Sequence, residues 1–266
     1  MSLQAASVAA PGALATRVNP LVKLATAVVV TVGVLLASDP VTSGVVALGW
    51  LIAFPLLGLR PLATLRRAWP LLVTVIALLG VNLLFNEPDG TPTLFEAGPV
   101  HVTVGTAQAA VTVSLRLLAI ALSGVVFAAA TDPTDLADAL TQQLHAPSRI
   151  VLPALAALRM APLMHADYVS LQLARRSRGV AGGGPVHRTR MFGQALFSLL
   201  VSAIRRGVRL ATAMDSRAFG AHPDRTHARH ASFSALDVAY LGGACLLVVA
   251  AMVISARTGH FEPIWE

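Results

Sequence analysis

Charged side chains are scarce in this sequence. Only 12% of the 266 residues are Asp, Glu, Lys or Arg, whereas 55% are hydrophobic and the mean hydropathy is +0.70. Soluble domains have about 25% charged residues. A chain with half that share has too few polar groups to cover a water-exposed surface, so the composition excludes an ordinary soluble domain and predicts an integral membrane protein.

Cysteine and lysine are almost absent, and each absence removes a class of function. Cysteine occurs once, at Cys245 in an apolar run, so the chain has neither a disulfide framework nor a cysteine-based zinc site. Lysine occurs once, at Lys23, so the Gly-Lys-Ser/Thr end of a phosphate-binding P-loop is impossible. No serine or cysteine lies in a nucleophile elbow. We therefore expect no enzyme activity, no cofactor and no metal site.

Five apolar runs have lengths that suit membrane-spanning helices. Such a helix needs about 20 residues, with roughly 17 to 25 tolerated. The runs are Leu24–Ser38, Val41–Leu59, Ala68–Asn86, Thr106–Ala130 and Val238–Ala256. The first run reaches this length only if it includes Leu21–Lys23, with the lysine side chain extending to the membrane interface. The sequence predicts an all-α membrane protein with about five spans.

The distribution of basic residues predicts the orientation of these spans. Thirteen of the 20 Lys and Arg residues lie between Asp132 and Ala231, whereas the loop Glu87–Val104 has three acidic residues and no Lys or Arg. Basic loops are retained in the cytoplasm. The predicted organisation is an N-terminal tail and four spans in residues 1–131, cytoplasmic helices in 132–233, and a last span with an external tail in 234–266. The N-terminus is then cytoplasmic and the C-terminus external to the cell membrane. No nucleic-acid recognition motif accompanies the arginines, so we expect no nucleic-acid partner.

Residues 132–233 are too charged for a span and show helical periodicity. Thr131-Asp132-Pro133-Thr134 predicts a capped helix start, and Ala146-Pro147-Ser148 ends that helix. A second helix has apolar residues at spacings of three and four from Leu155 to Leu173, with a kink or restart at Pro162. A third helix begins near Thr189. Its apolar stripe predicts a helix packed on one face rather than a sixth span; the stripe is Phe192, Leu196, Leu199, Ala203, Gly207, Leu210 and Met214.

The second and third cytoplasmic helices end in similar sequences. One ending is Ser177-Arg178-Gly179 and the other is Ser216-Arg217-Ala218. Arginine at a helix C-terminus is favoured by the helix dipole, and glycine commonly ends helices, so two ordinary C-caps are one interpretation. In the other interpretation, each helix tip presents a guanidinium that donates bidentate hydrogen bonds to a carboxylate of a partner.

These endings resemble the two Ala-Arg-Gly motifs of the transmembrane (T) component of energy-coupling factor transporters, the family of cobalt-uptake and biotin-uptake T subunits. Asn19-Pro20-Leu21-Val22-Lys23-Leu24 is similar to the family's Pro-x-x-Lys-Leu signature, and Leu158-Arg159-Met160-Ala161-Pro162 resembles its Arg-x-x-Pro. The resemblance covers roughly residues 17–256. In this chain Ser177 and Ser216 replace alanine, and Ala218 replaces a glycine, so we expect the second left-handed turn to shift to Gly220.

The resemblance implies a non-catalytic scaffold inside an importer. Two ATP-binding cassette ATPase subunits would bind at the two motifs, formed by Ser177, Arg178, Gly179, Ser216, Arg217 and Ala218. A separate small membrane subunit would bind the substrate, a vitamin or a transition-metal ion. A membrane scaffold or assembly factor without a role in transport is the alternative interpretation of the same arginines.

Two further groups of residues are candidates for binding. Arg116 lies inside the fourth apolar run, where an ionisable side chain is costly and needs a partner. That partner would be a backbone carbonyl, a polar residue such as Asn82 or Asn86, or a group on the substrate-binding subunit. His222, His227 and His230 cluster with Asp224, but their spacing matches no defined zinc site, so we interpret this segment as a solvated basic loop.

Overall fold

The protein is almost entirely helical. The computed structural model describes residues 14–59, 69–85, 92–97, 100–180, 184–219, 229–230 and 232–259. The helices in order are α1 (Leu14–Arg17), α2 (Pro20–Leu36), α3 (Pro40–Leu56), α4 (Trp69–Phe85), α5 (Val104–Ala130), α6 (Pro133–Gln142), α7 (Ser148–Ser177), α8 (Pro185–Asp215) and α9 (Ala235–Arg257). Each of the five predicted spans corresponds to one of these helices, so the all-α prediction is confirmed.

Four of the helices begin at a proline that follows an asparagine, aspartate or glycine. The first residues of α2, α3, α6 and α8 are Pro20, Pro40, Pro133 and Pro185. Proline suits this position because its missing N–H would have no intrahelical partner. Asp39 caps α3 by accepting a hydrogen bond from Thr42 N at 2.6 Å, and Asp132 accepts one from Thr134 N at 2.7 Å. The predicted capped start of α6 is therefore confirmed.

The described residues form two compact units, residues 140–230 and the remainder of the described chain. We call the second unit the bundle. Its core lies between α2, α3, α5 and α9 and contains mostly valine, alanine and leucine side chains, with Trp50 and Phe54. Small residues allow close helix contact here, because a Cβ atom built on Gly33 of α2 would lie 2.4 Å from Val248 Cγ1 of α9. Packing through small residues is typical of helices within membranes.

The outer surface of the bundle is apolar. Large side chains such as Val28, Ile52 and Leu246 are exposed, as are Trp69 and Ile76 of α4, which packs on α5. Helices α5 and α9 are long and apolar enough to cross a membrane, whereas α2, α3 and α4 are apolar but have 17 residues each. An exposed belt of this kind is expected of a protein whose solvent is lipid.

The other unit contains α7 and α8, which we call the helical pair. Helix α7 is continuous through Pro153 and Pro162, so of the predicted kink or restart at Pro162 the restart does not occur, and α8 begins at Pro185, four residues before Thr189. By length and composition α7 also meets the requirement for a span, although the mean hydropathy of its most apolar window is 1.2, against 2.1 for α5 and 2.3 for α9.

The apolar stripe of α8 is less covered than its periodicity predicts. Leu199, Leu210 and Met214 are half-buried, whereas Phe192 and Leu196 are 52% and 49% exposed. Ala195 is the only fully buried residue of the helix. Within the described residues of its own unit, the helical pair therefore leaves a substantial apolar surface exposed.

A β-hairpin interrupts the helical fold between α4 and α5. Strand β1 (Thr93–Ala97) pairs antiparallel with β2 (Val100–Thr103), where the sequence analysis had predicted only a loop. Thr103, the last residue of β2, also caps α5 and forms a reciprocal pair of hydrogen bonds with Thr106. The hairpin thus leads directly into the longest helix of the bundle.

Candidate functional site: two helix tips with arginine caps

The C-terminus of α7 ends in a Schellman motif around Arg178. Gly179 N donates to Arg176 O at 3.0 Å, and Val180 N donates to Arg175 O at 3.1 Å. These two bonds satisfy carbonyls that the end of a helix would otherwise leave unpaired. They require a left-handed residue after Arg178, and Gly179 provides it with a φ of 71°. The Ser177 hydroxyl donates to Ala174 O at 3.0 Å and completes the turn.

The C-terminus of α8 repeats this geometry around Arg217. Ala218 N donates to Asp215 O and Phe219 N donates to Met214 O, both at 3.0 Å. The left-handed residue is Ala218 itself, with a φ of 52°, so the predicted shift of this turn to Gly220 is wrong. The capping bonds hold alanine in a conformation that costs an L-residue roughly 1 kcal/mol or more.

The two endings share three hydrogen bonds around the arginine, two from the backbone and one from the preceding serine. As at Ser177, the Ser216 hydroxyl donates to the carbonyl three residues earlier, that of Ala213, at 3.0 Å. Arg178 and Arg217 therefore occupy the same position, one residue before the left-handed turn. Serine in place of the family's alanine adds a side-chain bond to the turn at both tips.

Both guanidiniums are available to a partner. Arg178 and Arg217 are exposed, and within the described residues neither side chain forms a hydrogen bond or an ion pair. Their surroundings differ in charge. Arg175 and Arg176 precede Arg178, whereas Asp215 lies two residues before Arg217. The tip of α7 is therefore the more positive of the two and should attract the more acidic surface.

The two tips lie at opposite ends of α8. The start of α8 is held near the end of α7, because His187 Nε2 lies 3.2 Å from Val180 O and Arg175 Nη1 donates to Met191 O at 2.7 Å. Helix α8 then extends for 31 residues, or about 46 Å at 1.5 Å per residue, before reaching Arg217. Two docking points so far apart suit two separate partner surfaces.

Comparison with known proteins agrees with these observations. The family described as "CbiQ: Cobalt transport protein" matches residues 12–228, which includes both arginine motifs. The chain belongs to this family. The CbiQ match covers α1 to α8 and ends before α9.

Relatives of this CbiQ-family chain include proteins named energy-coupling factor transporter transmembrane protein EcfT. The protein from Leuconostoc gelidum is 33% identical over 189 residues, which cover 68% of this chain and 66% of the relative. The Limosilactobacillus fermentum protein is 27% identical over 257 residues, covering 91% and 92%, and the Bacillus subtilis protein is 27% identical over 226 residues, covering 81% and 80%. The chain is therefore a transmembrane component of the energy-coupling factor type.

The family's Pro-x-x-Lys-Leu signature forms a buried contact in the bundle. Lys23 Nζ donates to Ala130 O at 2.6 Å, and Lys23 is only 3% exposed. The expectation that this lysine extends to the membrane interface is therefore wrong. Its ammonium instead neutralises the carbonyl end of α5, where a positive charge is favourable. Sequence reasoning missed this contact because Ala130 is 107 residues away.

Asp237 connects the start of α9 to Asn19, the residue before the Pro-x-x-Lys-Leu signature. Its Oδ1 accepts from Asn19 N at 2.6 Å, and its Oδ2 accepts from Ser234 N at 2.7 Å. The end of α5 and the start of α9, where the chain leaves and re-enters the bundle, are thus both hydrogen-bonded to residues 19–23. The sequence Ser234-Ala-Leu-Asp237 is a capping-box pattern that could have revealed half of this arrangement.

Arg116 has a partner within the bundle. Its Nη2 donates to Ala37 O at 2.9 Å, in the turn between α2 and α3. The side-chain amide of Asn82 donates a hydrogen bond to Leu78 O of its own helix, and Asn86 lies outside the described residues. Of the partners considered from sequence, the structure places a backbone carbonyl against Arg116. A contact between Arg116 and the substrate-binding subunit stays a prediction.

Most of the histidine segment lies outside the described residues. His222, Asp224 and His227 lie outside the described residues, and His230 is exposed. Among the described residues, no three or more His, Cys, Asp or Glu side chains are grouped so that they could hold a metal ion.

Proposed function

We propose that this chain is the non-catalytic scaffold of an energy-coupling factor importer. It transmits ATP-driven motion from two cytoplasmic ATPase subunits to a separate membrane subunit that binds a vitamin or a transition-metal ion. The observation that carries the proposal is the pair of matching helix tips, each with an exposed, unpaired guanidinium beside a left-handed turn. Residues 132–233 are its coupling helices, and α7 belongs to them rather than to the spans.

Each tip is suited to bind a carboxylate in a groove of one ATPase subunit. A helix end fixed by a Schellman motif has few alternative conformations, so little entropy is lost when Arg178 or Arg217 is immobilised. The planar guanidinium forms two parallel hydrogen bonds with a carboxylate. The separation of about 46 Å along α8 allows one ATPase subunit at each end.

The apolar surface of the helical pair supports contact with a second class of partner. On α7, Leu158, Leu163 and Leu173 are exposed, and on α8, Phe197, Leu200 and Ile204 are exposed. A protein seldom leaves an apolar surface of this extent uncovered unless a partner or lipid covers it. In the proposed assembly, this surface binds the membrane subunit that carries the substrate.

Alanine substitution of the two arginines tests the proposal. The chain is co-expressed with candidate ATPase and substrate-binding subunits, purified through a tag on this chain, and assayed for associated subunits and for transport. Removing one partner of a buried charge pair costs about 2 to 5 kcal/mol, so Arg178→Ala or Arg217→Ala should weaken ATPase association at least about thirtyfold. The double variant should lose it. Lysine should restore only part of the affinity because it lacks the planar fork.

Arg190→Ala and Arg209→Ala are the matched controls. Both residues are exposed on α8 and lie outside the two motifs, so each change lowers the net charge equally without altering a tip. If the controls impair association as strongly as the motif variants, general basicity is responsible. Survival of both transport and ATPase association in the double motif variant would refute the proposed coupling.

The proposed orientation has its own test. The arginine asymmetry places the coupling helices in the cytoplasm and the loop after α4 outside. In a Cys245→Ser background, a membrane-impermeant thiol reagent should label a cysteine at position 90 in intact cells and leave one at position 183 unlabelled. The reverse labelling pattern would show that the topology is inverted.

A scaffold or assembly factor without a role in transport is the second candidate. It would use the same exposed arginines and the same apolar surface. Co-purification separates the two functions, because the scaffold of an importer should bring down two nucleotide-binding subunits and a small membrane subunit in fixed stoichiometry. An assembly factor should bind them only transiently and be absent from the active transporter.

A further inference from the structure

A basic cleft lies between the end of α7 and the start of α8. It has a volume of about 460 Å³. Arg175 and Arg176 of α7 and His187 and Arg188 of α8 line it, and none of its described lining residues is acidic. Arg176 and Arg188 are exposed, and their side chains have no hydrogen bond or ion pair in the described part of the chain. The proposed coupling through Arg178 and Arg217 uses neither side chain.

The walls of the cleft are held in place by contacts between the two helices. Arg175 is fixed by its bond to Met191 O, and Tyr168 packs edge-on against Phe192 with ring centroids 6.4 Å apart. Arg176 and Arg188 therefore project from two helices whose spacing is already set. Guanidiniums converging from two sides can surround a phosphate and donate several charge-assisted hydrogen bonds to its oxygens.

Large apolar side chains lie beside this basic cleft. Val180, which lines the cleft, is 45% exposed, and Val186, next to His187, is 80% exposed. Basic groups flanked by exposed apolar side chains are the combination by which peripheral segments bind a membrane surface. A cleft for a soluble anion would gain nothing from an apolar rim.

We propose that this cleft binds the phosphate of an anionic phospholipid, with the flanking apolar side chains entering the interfacial region of the bilayer. Arg176 and Arg188 contact the phosphate oxygens, and Arg175 and His187 add positive charge around them. Anionic lipids of the cytoplasmic leaflet attract basic side chains near the membrane. The lipid contact fixes the loop end of the helical pair at the membrane surface, independently of any ATPase subunit.

Lipid titration of the isolated full-length chain tests this proposal. The chain is purified in a nonionic detergent and titrated with dihexanoyl phosphatidylglycerol, with dihexanoyl phosphatidylcholine and with inorganic phosphate, and binding is followed by native mass spectrometry and thermal stability. Phosphatidylglycerol should bind and stabilise at lower concentrations than either of the others. The Arg176→Gln/Arg188→Gln variant should weaken its binding roughly twentyfold.

The control is the Arg190→Gln/Arg209→Gln variant, which removes the same charge outside the cleft and should change binding less than about threefold. Circular dichroism establishes that both variants remain helical. Equal loss in the control variant, or equal binding of the two lipids, would overturn the proposal. Inorganic phosphate competing at the same concentration as the lipid would indicate a simple anion site and also overturn it. Loss of ATPase association with unchanged lipid binding in the cleft variant would identify the cleft as a protein contact instead.

Discussion

Lys23, which is buried in the bundle, allows a quantitative test of how much one hydrogen bond contributes to the stability of the bundle. Lys23→Met keeps an unbranched side chain and removes the ammonium that donates to Ala130 O at 2.6 Å. A hydrogen bond from a charged group contributes about 1.5–3 kcal/mol, and the favourable position at the end of α5 adds about 0.3–1 kcal/mol. Removing the buried charge recovers part of its desolvation cost. We therefore expect a net loss of about 2 kcal/mol.

A loss of this size should be measurable in detergent. For a chain of this length, 1 kcal/mol corresponds to roughly 2–4 °C in Tm, so Lys23→Met should unfold about 4–8 °C below the wild type. Intrinsic fluorescence is a suitable probe because Trp50 is 4% exposed in the bundle core. Leu24→Met, at the adjacent and 38% exposed position, is the matched control and should change Tm little. A Tm for Lys23→Met within 1 °C of the wild type would show that the ammonium contributes no net stability.

Three further predictions test specific contacts. Asp237→Asn should lower Tm by several degrees, because the amide can accept from only one of the two backbone N–H groups that Asp237 now binds; an unchanged Tm would contradict this. Ala218→Gly should slow hydrogen exchange in the last turn of α8 by about fivefold, since glycine adopts a φ of 52° without strain, and Gly179→Ala should accelerate exchange at the other tip; no change at either tip would refute the strain. Gly33→Ala should cost about 1–3 kcal/mol through overpacking of α2 on α9, whereas Gly80→Ala, with nothing within 4 Å, should be neutral or stabilising in thermal unfolding.

The helices could be predicted from sequence because the apolar runs and the helix-start residues indicate the same boundaries. Asp39-Pro40 and Asp132-Pro133 mark starts that the structure confirms. The hairpin was missed, although Thr93, Val100 and Val102 lie on either side of a Gly98-Pro99 turn signal. A short two-stranded element between two spans gives too weak a pattern to compete with the interpretation as a polar loop.

The errors at the site have different physical causes. Ala218 was expected to avoid the left-handed turn because local sequence favours glycine there, but the capping bonds of Phe219 and Ala218 fix the backbone regardless. Lys23 was expected at the interface because its partner, the carbonyl of Ala130, is a backbone group that no sequence pattern displays. The positions of Arg178 and Arg217 could be predicted, since motif spacing alone indicated two helix ends.

The length of α8 has a mechanical consequence for anything attached at both of its ends. A hydrogen-bonded helix extends or shortens very little, so the distance between the two ends of α8 stays nearly constant at about 46 Å. Two proteins held at these points cannot approach each other by shortening the connection. Such proteins can approach each other by rotating about their points of attachment.

The first half of α7 is free of this constraint. Between Pro153–Met164 and Ala203–Met214 the helices form an open apolar groove of about 640 Å³, where Gly207 contributes no side chain. This space leaves room for the angle between α7 and α8 to change, whereas the Asp167–Arg206 ion pair at 2.6 Å joins the two helices. If two partners rotated at the ends of α8, the constant length of α8 and the open space beside α7 would convert that rotation into a tilt of α7 relative to α8.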